Sequence, residues 1–135
     1  MNELFQFIEQ NTSLVKEKPL ESKKIISAQK ELTRAGFPLI PENFLLLLKH
    51  CNGIKGEDGA ILGISPENKS LDIVSFNITQ NASKQKIILG YDDFALLVYD
   101  THQEKYLLLD RTDGMELDDF LKSEFSSAIN SVLHF

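Results

Sequence analysis

GFPLIPENFLLLLKHCNG, residues 36–53, places two prolines, an apolar run and an Asn-Gly pair in one short segment. Pro38 and Pro41 each fix their own φ and push the preceding residue out of the α region. The approach is therefore extended, and a helix is expected to begin at Pro41, where a missing N–H costs nothing. Glu42 falls in the first turn, against the positive end of the helix dipole. Phe44 to Leu48 is an unbroken apolar run, too wide for one stripe, which predicts a core helix covered on most sides. Lys49 and His50 sit in the last turn, where cations are favoured, and Asn52-Gly53 tolerates the left-handed conformation that ends a helix.

Outward from this segment the chain divides into helices on one side and strands on the other. Asn2 to Gln10 carries Leu4, Phe5 and Ile8 at the spacing of a short amphipathic helix, followed by a polar linker through Pro19, so residues 1–20 are expected to dock loosely. Ser22 to Ala35 reads as a helix with Ile25, Ile26, Ala28, Leu32 and Ala35 inward, ended by Gly36. After Gly53, Ala60 to Ile64 and Leu71 to Phe76 read as strands, while Asn77 to Lys84 is compatible with a loop or a short helical turn. Lys86 to Gly90, Phe94 to Asp100 and Lys105 to Asp110 are three further strands. The four-residue connection Thr101 to Glu104 sets a hairpin with Asp100 opposite Lys105 and Tyr99 opposite Tyr106. Past Asp113-Gly114, apolar residues from Leu117 to Leu133 recur at helical spacing, with room for a break near Ser123. The expected fold class is α+β in a single domain, residues 1–135: N-terminal helices, an antiparallel meander, and a C-terminal helix packed on the sheet.

Composition narrows the function classes. With 135 residues the chain is long enough to bury a sizeable core without staples, and the lone Cys51 rules out an internal disulfide. No secretory signal is expected at the first residues, and no apolar stretch approaches the roughly 20 residues that span a bilayer, so a cytoplasmic location is expected. The net charge of −6 is unevenly spread: residues 1–91 hold 10 acids against 11 bases, and residues 92–135 hold 10 acids against 3 bases. An acidic C-terminal third argues against direct nucleic-acid binding and favours a basic protein partner, although acidity also serves solubility.

Catalytic and metal motifs are weak. His50 and Cys51 are neighbours on a helix and point about 100° apart, so they cannot form a nucleophile–base pair; Cys51 falls on the apolar face and is expected in the core. His102 and His134 belong to no ligand spacing, so neither metal nor cofactor is expected. Gly53, Gly56, Gly59 and Gly63 lack a phosphate-loop Lys and are expected to form a mobile loop. The adjacent acids Asp92-Asp93 and Asp118-Asp119 diverge in direction, and Glu116, Asp118 and Asp119 suit the start of a helix. The chain is therefore expected not to be an enzyme.

The ordered set is similar to the SUKH superfamily, the yeast cell-wall-regulator homology domain. It comprises a helix ending in Ala35-Gly36-Phe37-Pro38, then Pro41-Glu42-Asn43-Phe44, then an apolar helix closing on Cys51-Asn52-Gly53. Ile88-Leu89-Gly90 and the segment Tyr106 to Arg111 follow the family's order, and the resemblance covers roughly residues 22–133. The absence of Trp sets the chain apart from many members. The resemblance implies a bacterial immunity protein that binds and neutralises a polymorphic toxin, often a nuclease. The other role it implies is that of a regulatory or scaffolding module with an endogenous partner. For a basic toxin, the expected contact surface is an acidic rim of Glu57, Asp58, Asp92, Asp93, Glu116, Asp118 and Asp119, with Tyr91 as either its aromatic anchor or part of the core.

Overall fold

The core helix starts where the prolines direct. In the computed structural model, which describes residues 2–135, Pro41 is extended at φ −66°, ψ 150°, and a helix runs over Glu42–His50. Phe44, Leu47 and Leu48 are buried, while Leu46 faces outward at 46% exposure, so the apolar run is wider than the face it buries. The stop divides its labour. Gly53 takes the positive φ of 114°, whereas Asn52 is buried and its side chain bonds both the amide and the carbonyl of Ile64 at 2.8 Å.

Element order is α1 (Asn2–Gln10), β1 (Val15–Lys16), α2 (Lys23–Arg34), α3 (Glu42–His50), β2 (Ile54–Lys55) and β3 (Gly59–Ile61). There follow α4 (Ile73–Gln80), β4 (Lys86–Asp92), β5 (Ala95–Asp100), β6 (Lys105–Asp110), β7 (Glu116–Phe120) and α5 (Phe125–Leu133). The seven strands form one antiparallel sheet in the order β1 to β7, a meander in sequence order with α2 and α3 inserted between β1 and β2 and α4 between β3 and β4. The fold is α+β, and α5 lies on the sheet with Phe125, Ala128, Ile129, Val132 and Leu133 buried. Tyr99 faces Tyr106 and Asp100 faces Lys105, the register expected from the four-residue connection. Leu4 and Ile8 of α1 are buried, and β1 stands where a polar linker is expected.

Two expectations are corrected. Leu71 to Phe76 is not a strand: Lys69–Leu71 is a 3-10 turn and α4 begins at Ile73. Asn68 and Asp72 cap the two pieces, the Asp72 carboxylate accepting from the amides of Ser75 (3.0 Å) and Ser65 (2.9 Å). Those caps satisfy helix-end donors that β-branched alternation cannot supply, and the buried Ile73, Val74 and Asn77 share one helical face. The second correction concerns Leu117 to Phe120, which belong to strand β7 rather than to a helix. Without β7 the far edge of β6 would leave its backbone groups unpaired, and that pairing outweighs helical spacing. The break near Ser123 is a 3-10 turn, Lys122–Glu124, and the helix then runs as expected.

The glycine-rich segment is likewise built in. A Cβ on Gly59 would be driven into the Val132 carbonyl oxygen and would lie 2.7 Å from the Tyr91 carbonyl, so its lack of a side chain lets α5 settle on the sheet.

Candidate functional site

An antiparallel meander returns alternate turns to the same end of the sheet. Gly59 pairs with Asp92 and Ala95 pairs with Asp110, which brings together the β2–β3 turn, the β4–β5 turn and the β6–β7 turn. Glu57 and Asp58 lie exposed on the first, Asp93 on the second, and Glu116 at the start of β7 beside the third. Residues from three separated parts of the sequence thus form one acidic end. The structure adds Asp110 and Asp113, which belong to the same third turn: the Asp110 carboxylate accepts from the amides of Thr112 (2.7 Å) and Asp113 (3.2 Å). Asp113-Gly114 signalled a turn in the sequence, but not which other turns would share its end of the sheet.

The remaining expected residues part company from this group. Asp92 is only 8% exposed and points toward α5. One carboxylate oxygen accepts from the amides of Phe94 (2.8 Å) and Ala95 (2.7 Å), and the other lies 2.8 Å from Nε2 of His134. Burial pushes this carboxyl up, but the His134 contact and the two amides together outweigh it and hold the group below its ordinary value of 3.8. It is a turn anchor, not a rim residue. Asp118 and Asp119 lie along β7, opposite Leu108 and Leu107, and Asp119 pairs with Lys105 at 3.1 Å. They occupy an edge strand, so the helix-start explanation for their charge falls; charge on an exposed edge discourages pairing with another chain.

Tyr91 follows strand alternation. Its neighbour Gly90 lies against Val132 of α5, and Asp92 against His134, so the Tyr91 ring is on the opposite face. There it stacks on Phe76 with ring centroids 5.1 Å apart, and Lys55 Nζ (5.5 Å) and the Arg111 guanidinium (5.2 Å) sit over it. Half-buried and engaged on this scale, Tyr91 is a platform under the acidic end. The protruding apolar residues there are ones that pattern reading missed: Phe94 is 79% exposed in the β4–β5 turn and Met115 is 66% exposed in the β6–β7 turn. The Arg111 amide ties the two turns together by donating to the Phe94 carbonyl (2.9 Å), while the Asp110 amide closes the β6–β7 turn on the Met115 carbonyl (2.8 Å). Arg111 also donates from its guanidinium to the Asp92 carbonyl at 2.8 Å. Pattern alone makes Phe94, directly after Asp92-Asp93, the first strand residue, whereas the strand begins at Ala95.

The groups considered for chemistry are spread out. Cys51 is 2% exposed, and burial, reinforced by Glu9, pushes its thiol up to about 12. The His50 ring stacks on Phe5 at 4.3 Å, and its buried Nε2 lies 3.0 Å from Glu9 Oε1 but out of line for a hydrogen bond. His102 sits on the exposed β5–β6 turn, and His134 caps α5 in the left-handed conformation at φ 58°. Among the described residues, no three His, Cys, Asp or Glu side chains converge as a metal site, and no helix is long and apolar enough to cross a membrane.

The turn end carries exposed negative charge beside exposed apolar side chains. Glu57, Asp58, Asp93 and Glu116 are exposed, the Asp110 and Asp113 carboxylates accept from turn amides, and apolar side chains stand among them. No protein-family model matches this chain, and no curated protein matches it.

Proposed function

We propose that this chain is a non-catalytic binding domain, an immunity protein that neutralises a protein toxin by stoichiometric occlusion. The observation that carries the reading is the convergence of Glu57, Asp58, Asp93 and Glu116 on one end of the sheet; none of the four joins an ion pair among the described residues. Unpaired acids on neighbouring turns raise the local negative potential and speed the encounter with a basic partner. The likeness of the Ala35 to Gly53 motif set to SUKH proteins supports a toxin as that partner. Nucleases are themselves basic where they grip phosphate, which fits an acidic inhibitor.

Occlusion needs no cofactor. Encounter is driven by charge, and residence is set by burial of Phe94 and Met115 in the partner. The test is co-expression with the protein encoded immediately upstream. Co-purification as a stable complex, together with rescue of growth from that protein's toxicity, is expected. Separate elution with no rescue would sink the pairing.

A further inference from the structure

A second surface, sharing no residue with the acidic end, carries the opposite charge. Ile25, Ile26, Gln29, Lys30, Thr33 and Arg34 of α2, with Leu39, line an open groove of about 540 Å³ that is mostly apolar. Leu39 is 60% exposed, and Ile26, expected to face inward, is 66% exposed because its position on α2 lies off the buried Ala28–Leu32 face. The ridge that bears Leu39 is held rigid: Pro38 and Pro41 restrict the backbone on either side, and the Ile40 amide donates to Gln29 Oε1 at 3.0 Å.

The groove is two-sided. At about 100° per residue, Gln29 lies about 60° to one side of Ile26, toward the Leu39 ridge, while Lys30 and Arg34 lie about 40° and 80° to the other. Leu39 therefore stands as an apolar ridge on one side, Ile26 and Thr33 lie along the crest of α2, and Lys30 and Arg34 flank them on the other side. No acid lines it, and neither Lys30 nor Arg34 joins an ion pair among the described residues. From Ile25 to Arg34 the floor spans roughly 14 Å, enough for two to three turns of an opposing helix.

We propose that this groove docks an amphipathic helix of a partner protein, apolar along one stripe and acidic along its flank. Apolar residues spaced i, i+4, i+7 would fill the Leu39 side and the floor, and carboxylates would meet Lys30 and Arg34. Exposed apolar groups in a preformed groove cost little ordering on binding. The proposal is independent of the toxin reading, because the surface and the charge it selects are both different.

The probe is an N-acetylated peptide of about 15 residues with Leu at i, i+4, i+7 and Glu on the flanks, titrated into the full 15N-labelled chain. Expected are NMR shifts confined to residues 23–41 and affinity about tenfold above that of the same peptide with Lys in place of Glu. In Ile26→Ser, and separately in the double variant Lys30→Glu/Arg34→Glu, the shifts should shrink while the rest of the spectrum is unchanged; both sites are exposed, so folding is retained. Absence of shifts, shifts centred elsewhere, or equal binding of both peptides would overturn the proposal. Concentration-dependent shifts at the same residues without peptide would also overturn it, in favour of a second copy of the chain.

Discussion

Replacing Asp92 separates the two roles that an acidic residue at this position can have. If the carboxylate anchors the β4–β5 turn, its loss is felt in stability; if it belonged to the rim, its loss would be felt in association. Asp92→Ala removes both amide bonds, to Phe94 and Ala95, and the His134 contact, leaving the buried Ala95 amide without its acceptor. Hydrogen bonds to a charged group contribute about 1.5–3 kcal/mol each, and part of the loss is recovered because Phe94 N–H reaches water, so about 3–4 kcal/mol is expected overall. Asp92→Asn keeps an oxygen toward the amides but loses the charge that the amides and the half-exposed His134 side chain favour, about 1 kcal/mol after solvent screening. For a chain of this length each kcal/mol lowers Tm by roughly 3–5 °C.

Urea unfolding followed by circular dichroism at pH 7 and at falling pH reads both variants. The folded-state carboxyl lies below its ordinary 3.8, so its contribution is fully present above that value and is lost as pH falls below it through the folded-state value. The gap between wild type and Asp92→Asn should therefore be widest above about pH 5 and close as the pH drops toward 2. Two variants that both unfold within about 0.5 kcal/mol of wild type, yet associate more slowly with a partner, would refute the anchoring role.

Two further outcomes follow from buried groups. Asn77→Ala should cost about 3 kcal/mol in the same urea assay, because the Asn77 side chain bonds the amide and the carbonyl of Ile88 at 2.8 and 3.0 Å and nothing else is placed to take them. Cys51, with its thiol pushed up to about 12 and 2% exposed, should resist a thiol reagent at pH 8 in the folded protein and react at once in urea; rapid native labelling would contradict its burial.

The central helix, the hairpin register and the α+β class were readable because each rests on local chemistry. Pro41 and Gly53 bound α3, and a four-residue connection sets Tyr99 against Tyr106. What escaped were decisions made between distant residues. β7 forms because β6 has an open edge, β1 and β2 are two-residue strands too short to carry a period, and α4 depends on its cap Asp72 more than on its apolar pattern. The site divides the same way. Glu57, Asp58, Asp93 and Glu116 are legible as charge alone, and the meander brings them together. Asp92 is chemically identical to Asp93, but it is the last residue of β4 and its carboxylate turns inward onto the Phe94 and Ala95 amides and His134, whereas Asp93 stands on the turn itself. Phe94 carried no periodic signal that would distinguish an exposed turn residue from a strand residue.

The proposed capture of a basic partner by the acidic turn end is electrostatic, so its rate depends on salt. Stopped-flow association of the co-purified toxin with wild type and with the variant Glu57→Lys/Asp58→Lys/Asp93→Lys, at roughly 20 to 300 mM salt, tests it most directly. For wild type the rate should fall at least about tenfold across that range, and the variant should be slow at low salt with a flat dependence. Equal rates and equal salt slopes for the two proteins would contradict the claim.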